Sequence, residues 1–240
     1  RLAVKEGELF YHRDKGAYIE RLLQFFLPDE ATLKSAEKTP LTVVVNSGNG
    51  CAGAVVDLLE PHLPWRLIKV NQTPDGSFPN GVPNPLIPER RKPTQHAILE
   101  HKAAFGVAWD GDFDRCFFFD HRGEFIDSCY IVGLLASEIL RDKAPGETVV
   151  IDARQIWNSR AEIEKAGGRV VISSGGHSPM KRTMRREGAI YGGEMSAHHY
   201  FRDFDYCDSG MIPFLLMLDL LMRREGRLYD LVKAAQKAYP

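Results

Sequence analysis

Apolar residues at Ile19, Leu22, Leu23, Phe26 and Leu27 recur at i, i+3, i+4, i+7 and i+8, the spacing of one helix face, and Pro28 ends the run. Residues 1–16 are polar and show no sustained period, and Pro28 to Pro40 reads as a connector. The β-branched run Leu41–Val45 predicts a strand, followed by glycine punctuation and a helix over Ala52–Leu59. Trp65–Val70 predicts a second strand. Asn71 to Pro93 holds six prolines and two glycines, the mark of a long loop, and loops of that length are usually functional or mobile. Thr94–Ala104 suits a helix, Gly106–Trp109 a buried strand, and Cys116–Phe119 with Phe125–Ile126 a hairpin around Arg122-Gly123. The alternation then restarts: helix near Tyr130–Leu140, strand Thr148–Ile151, helix Ile156–Ala166 closed by Gly167-Gly168, strand Val170–Ile172, a basic helix from Met180, and strand Ile190–Tyr191. Helices over about 209–224 and 228–238 finish the sequence.

Strand–helix–strand order occurring twice predicts two consecutive α/β domains with mixed, mostly parallel sheets flanked by helices. The expected division is a leading segment 1–16, a first domain 17–126 and a second 127–240. The halves resemble each other in pattern rather than in sequence identity.

Composition narrows the function. Thirty-one Lys and Arg against 32 Asp and Glu give a net charge of −1, so no global basic field exists to hold nucleic acid or an anionic membrane. The longest apolar stretch, Met211–Met222, is too short for a bilayer and is interrupted by Asp219. Cys51, Cys116, Cys129 and Cys207 stand far apart with no CxxC pair, so neither a zinc knuckle nor a disulfide scaffold is indicated. With no signal peptide at its start, a cytoplasmic protein is expected; the opening at Arg1 reads as a piece of a longer one.

The sharpest chemical signal is Asp110-Gly111-Asp112-Phe113-Asp114-Arg115, directly after an apolar strand. Ligand sites of open α/β sheets lie beyond the carboxyl ends of strands. In extended backbone the carboxylates at i, i+2 and i+4 project to one side, and three close carboxylates need a compensating cation. A hard divalent ion such as Mg²⁺ meets that need, with Arg115 offering a fork to phosphate. A calcium EF-hand loop fails here, because its glycine and glutamate positions hold Arg115 and His121. A haloacid-dehalogenase-type phosphatase would use Asp110 as nucleophile and Asp112 as acid.

Gly48-Asn49-Gly50-Cys51-Ala52-Gly53 matches GxGxxG between a strand and a helix, but no acid ends the second strand. The preferred reading is a tight strand-to-helix turn. Glu194, Ser196 and His198, after another strand end, would share one face if extended. A carboxylate beside a hydroxyl suits a polyol, and an imidazole next to them can shuttle protons near neutral pH. Ser174-Gly175-Gly176-His177 opens a helix with Lys181 and Arg182 in its first turn, where cations oppose the helix dipole and imply a neighbouring anion. Arg154 is a further cation at a strand end. Together these parts suit phosphoryl transfer on a sugar phosphate.

Four segments carry a resemblance to a known family: Val45-Asn46-Ser47-Gly48-Asn49-Gly50, the Asp110–Arg115 loop, Gly192-Gly193-Glu194-Met195-Ser196-Ala197-His198, and Asp208-Ser209-Gly210. The chain resembles the α-D-phosphohexomutases, in particular their bacterial phosphomannomutase/phosphoglucomutase branch, over nearly its whole length. The resemblance implies that these are the middle two of four domains. It implies Mg²⁺ on Asp110, Asp112 and Asp114, Arg115 beside the transferring phosphate, and His198 as acid or base. Glu194 and Ser196 would hold hexose hydroxyls, and His177, Lys181 and Arg154 would line the phosphate and sugar path. The implied partners are hexose phosphates, a 1,6-bisphosphate intermediate and the N- and C-terminal domains of the same enzyme, with no nucleic acid or membrane. Relatives usually carry Gly where Ala197 stands, Thr-Gly-His where this chain has Gly175-Gly176-His177, and often Lys in place of Arg154. Their Thr-Ala-Ser-His-Asn-Pro phosphoserine loop occurs nowhere in the sequence, so the chain alone is expected to be inactive.

Overall fold

The computed structural model describes residues 7, 8, 10, 14–141, 143, 145–154, 156–224 and 227–240, and places two five-stranded sheets in them. The first contains β1 (Thr42–Asn46), β2 (Arg66–Val70), β3 (Phe105–Trp109), β4 (Cys116–Phe119) and β5 (Phe125–Ile126), in the order β2-β1-β3-β4-β5. The second contains β6 (Thr148–Asp152), β7 (Arg169–Ser173), β8 (Tyr191–Gly193), β9 (His199–Phe201) and β10 (Cys207–Asp208), in the order β10-β9-β8-β6-β7. Both sheets follow one plan: the first strand lies between two parallel neighbours, and two antiparallel strands extend the sheet beyond the third. The mixed α/β architecture is therefore as expected.

The helices, in chain order, are α1 (Gly16–Leu23), α2 (Glu30–Lys38), α3 (Ala52–Leu59), α4 (Lys92–His101), α5 (Ser128–Leu140), α6 (Ile156–Lys165), α7 (His177–Glu187), α8 (Met211–Arg223) and α9 (Leu228–Ala238). One apolar cluster joins both sheets. It runs from Val43, Val45 and Trp109 through Ile131 and Leu135 of α5 and Phe214 and Leu218 of α8 to Val149, Ile151 and Tyr191. Helix α8 packs against α2, α5 and β4, which explains why it is apolar on nearly every side. Its buried Asp219 is offset by Arg223 one turn on, at 2.7 Å.

Several expectations need correction. Helix α1 stops at Leu23; i→i+3 bonds from the N–H groups of Phe25 and Phe26 turn the chain, so Phe26 stays buried while Leu27 is 76% exposed. The expected connector contains α2, whose periodicity is weak because only Leu33 and Ala36 rest on the core. Its drive is local: Asp29 caps the Thr32 N–H at 2.7 Å, and Glu30 pairs with Lys34 one turn away. Helix α7 begins at His177, three residues before Met180. Strands β9 and β10 are too short, at three and two residues, to leave an alternating pattern. Much of the polar segment 1–16 lies outside the described residues.

The first sheet is fastened to α8 at Gly210. Its N–H donates to the Phe113 carbonyl at 3.2 Å, and its own carbonyl accepts from Trp109 Nε1 at 2.9 Å. A Cβ at Gly210 would stand 2.5 Å from the Phe113 oxygen and 2.8 Å from Trp109 Cδ1, too close for either to remain in place. Gly210→Ala is therefore expected to lower unfolding stability by about 1–3 kcal/mol. A urea titration checks this as a lowered midpoint with unchanged slope; an unmoved midpoint would show the seam to be compliant.

Candidate functional site

The loop after β3 is a turn rather than the extended segment expected. The Phe113 N–H returns to the Asp110 carbonyl at 3.2 Å, and Phe113 takes a left-handed φ of 54°. The turn nevertheless gathers the carboxylates: one oxygen each of Asp110, Asp112 and Asp114 lies within 4.8 Å of the others. The glycine-rich segment after β1 is the seat of this loop. The Cys51 N–H donates to the Gly111 carbonyl at 2.9 Å, and a Cβ at Gly50 would stand 2.5 Å from that same oxygen. Gly50 thus serves close backbone approach to the carboxylate loop, beyond the tight strand-to-helix turn expected of these glycines. The proline-rich loop is laid over them by an asparagine ladder, with Asn80 donating to Asn49 at 2.8 Å and to Asn71 at 3.0 Å.

Asp110 is 3% exposed, and burial raises its pKa to about 6 against the lowering effect of Arg115. Arg115 Nε reaches one Asp110 oxygen at 2.7 Å and its backbone N–H the other at 3.2 Å. An all-carboxylate donor set suits a hard divalent cation.

The loop after β8 repeats the turn. The Ala197 N–H returns to the Glu194 carbonyl at 3.0 Å, and Ala197 takes a φ of 70°. That conformation favours glycine. Ala197 is nonetheless fully buried, with its methyl in a cluster that includes Phe117 and Phe119. Glu194 is also buried, accepting from the Gly176 N–H, from Tyr200 Oη at 2.8 Å, and lying 3.3 Å from His198 Nδ1. Burial alone would raise its pKa, but His198, the Gly176 N–H and Tyr200 outweigh that and hold it at about 2. Gly176 caps α7, so the anion implied at that helix start is the chain's own Glu194.

The two loops meet. Arg115 and His198 form an antiparallel bridge, and the Cys116 N–H donates to the Ala197 carbonyl at 3.2 Å. This places His198 Nε2 3.4 Å from Asp114 and its Nδ1 2.9 Å from Ser196 Oγ. Burial alone would lower the His198 pKa, but Asp114 and Glu194 outweigh it and raise it to about 9. With no metal on Asp114, this raised pKa favours the protonated imidazole. Asp208 joins Asp114 and His198 within 4.8 Å and pairs with Lys181 at 2.7 Å. Lys181 thus reaches the network through Asp208. Arg154 is paired with Asp152 instead, and His177 is exposed at the first position of α7. Tyr200, Asp208 and Asp152 are site residues that sequence reasoning left without a role. Tyr200 could have been found as the next same-face position after His198, and Asp208 as the polar residue ahead of the apolar α8.

A carboxylate turn and a Glu-Ser-His turn, each beyond the third strand of its sheet, are bridged to one another in a two-domain α/β protein. Residues 16–123 match the family description "Phosphoglucomutase/phosphomannomutase, alpha/beta/alpha domain II" and residues 127–239 match domain III of the same family. The chain belongs to the phosphoglucomutase/phosphomannomutase family. It is 56% identical over 227 residues to "Phosphohexose mutases" of Xanthomonas campestris, covering 95% of this chain and 49% of that protein. It is 50% identical over 242 residues to a phosphomannomutase of Escherichia coli, covering 99% of this chain and 51% of that one. A crystal structure of a phosphoglucomutase/phosphomannomutase family protein from Burkholderia thailandensis superposes with a TM-score of 0.80 at 28% identity, covering 92% of this chain and 45% of that one. The chain thus spans about half the length of the curated relatives it matches. Among the described residues no helix is long and apolar enough to cross a membrane.

Because the folded His198 pKa lies above its ordinary 6.5, its pairing stabilises the fold fully below about pH 6.5, and that contribution is lost as pH rises through about 9. In metal-free buffer the melting-temperature gap between the unsubstituted protein and His198→Gln is expected to be widest near pH 6 and to close by about pH 10. A gap that stays constant with pH would show that His198 is not charged here.

Proposed function

We propose that this chain is the metal- and sugar-binding part of a phosphohexomutase that interconverts hexose 1-phosphate and hexose 6-phosphate through a phosphoserine enzyme and a 1,6-bisphosphate. Residues 17–126 supply the metal loop and 127–240 the sugar loop, and the remaining domains belong to the rest of a longer protein. The observation that carries this reading is the 3.4 Å contact of Asp114 with His198, which joins the carboxylate turn to the hydroxyl-reading turn in one site.

Asp110, Asp112 and Asp114 would hold Mg²⁺, which would supply positive charge beside a transferring phosphoryl group. Arg115, tethered to Asp110, directs its remaining N–H groups at the same phosphate. A carboxylate offers about four acceptor sites; three contacts occupy Glu194, leaving room for a substrate hydroxyl beside Ser196 Oγ. His198, between Asp114 and Glu194, holds or moves a proton at Nε2 or Nδ1 as the acid or base. If Glu194 and Ser196 read the 3- and 4-hydroxyls, mannose and glucose present the same face, since they differ at C2. His177, Lys181 and Arg154 line the phosphate path. A cytoplasmic location accompanies this reading.

Asp112→Asn is expected to weaken Mg²⁺ binding by about tenfold or more, as one of three charged ligands is lost; titration calorimetry measures it, and unchanged affinity would count against the loop. Mannose 1-phosphate turnover is expected from the full-length protein and not from 1–240 alone. A phosphate trapped on Asp110 in the full-length protein would instead support an aspartyl-phosphate phosphatase, and metal and bisphosphate binding without isomerisation a binding module.

A further inference from the structure

Arg154 stands just beyond β6, and its bonds lead back to one carboxylate. Asp152, wholly buried at the last position of β6, accepts the Arg154 backbone N–H at 2.9 Å and Nε at 2.8 Å, with Nη2 completing a side-on fork. That fork leaves the two Nη1 hydrogens uncommitted to Asp152, at the end of a side chain that is 56% exposed. The room for the guanidinium comes from Gly175. A Cβ there would stand 2.9 Å from Nη2, 3.4 Å from Cζ and 3.3 Å from the Asp152 carboxylate. Gly175 is outside the left-handed region that Gly176 occupies at φ 105°, so its backbone would accept alanine; the guanidinium beside it would not. The next residue, Gly176, donates its N–H to Glu194. Asp152, Arg154, Gly175, Gly176 and Glu194 therefore form one continuous line of contacts from the end of β6 to the sugar loop.

We propose that Asp152 and Gly175 are positioning residues for Arg154: the buried carboxylate aims the guanidinium, and the missing side chain at 175 lets it lie along the turn beside Glu194, where it takes a phosphate of the hexose phosphate. The proposal rests on the reading above that a hexose phosphate is held here. Asp152 cancels much of Arg154's charge at a distance, so the grip comes from the direction of its N–H groups rather than from long-range attraction. Lysine, with a point charge and no fork, cannot be held side-on in this way.

The test is a double-mutant cycle in the full-length protein with mannose 1-phosphate as substrate. Gly175→Ala is expected to raise KM about tenfold with kcat within about twofold, and to add nothing once Arg154→Ala is present, since it acts through Arg154. Asp152→Asn, which keeps the shape but loses the charge that draws the fork, is expected to raise KM in the same sense and to be equally silent in the Arg154→Ala background. An unchanged KM in Gly175→Ala, or an effect that persists without Arg154, overturns the proposal. Should Gly175→Ala fail to fold, the Asp152→Asn cycle decides alone. Calorimetric binding of mannose 1-phosphate runs the same cycle without turnover. An inactive parent protein that still binds would therefore count against the function, while the cycle still judges the positioning; a parent that does not bind overturns both.

Discussion

The site depends on a short backbone seam between two loops. Cys116 of the first sheet donates to Ala197 of the second, and Gly210 ties the Phe113 carbonyl to the start of α8. Side-chain contacts between exposed charges are weak and yield to solvent. Backbone hydrogen bonds in a buried seam are not so easily exchanged, because an unpaired N–H or carbonyl there would be left without water. Asp114 and His198 face each other because the seam leaves them no other arrangement. The continuous core through α5 and α8 supports the seam from below, so neither sheet can turn without opening apolar contacts.

Charge in the site is balanced in pairs rather than in bulk. Arg115 answers Asp110, His198 answers both Asp114 and Glu194, Lys181 answers Asp208, and Arg154 answers Asp152. An incoming dication and an incoming phosphate would both redistribute these pairs. A cation on these carboxylates would compete with Arg115 for Asp110 and with His198 for Asp114, which would free N–H donors for an anion beside it.

Legibility in the sequence followed the length of each signal. The strands Thr42–Asn46, Phe105–Trp109 and Thr148–Asp152 are mostly β-branched or apolar and were readable, as was the helix Ala52–Leu59, whose bounds were read correctly. Helix α2 was not, because capping at Asp29 and one ion pair support it while little of it is buried. Strand β9 depends on pairing with β8, and β10 on pairing with β9, contacts that their own short sequences do not signal. At the site, the spacing of Asp110, Asp112 and Asp114 pointed to convergence, but the route differed, by a left-handed turn at Phe113 rather than an extended run. The raised pKa of His198 was only partly legible: Glu194 is four residues away, but Asp114 is distant in sequence. The partner of Arg154 lay two residues away, yet only the structure revealed that the room for their fork is made by Gly175.

The matching turns after β3 and β8 have a consequence of their own. In each, the residue three places beyond the first carboxylate, Phe113 or Ala197, takes the left-handed conformation, and the chemistry stands at offsets zero, two and four. One turn fills those places with Asp110, Asp112 and Asp114; the other fills them with Glu194, Ser196 and His198. The same three-pronged scaffold thus presents three carboxylates in one copy and a carboxylate, a hydroxyl and an imidazole in the other. The backbone plan is common to both, so exchanging the prongs alone would change what such a turn can hold without redrawing it.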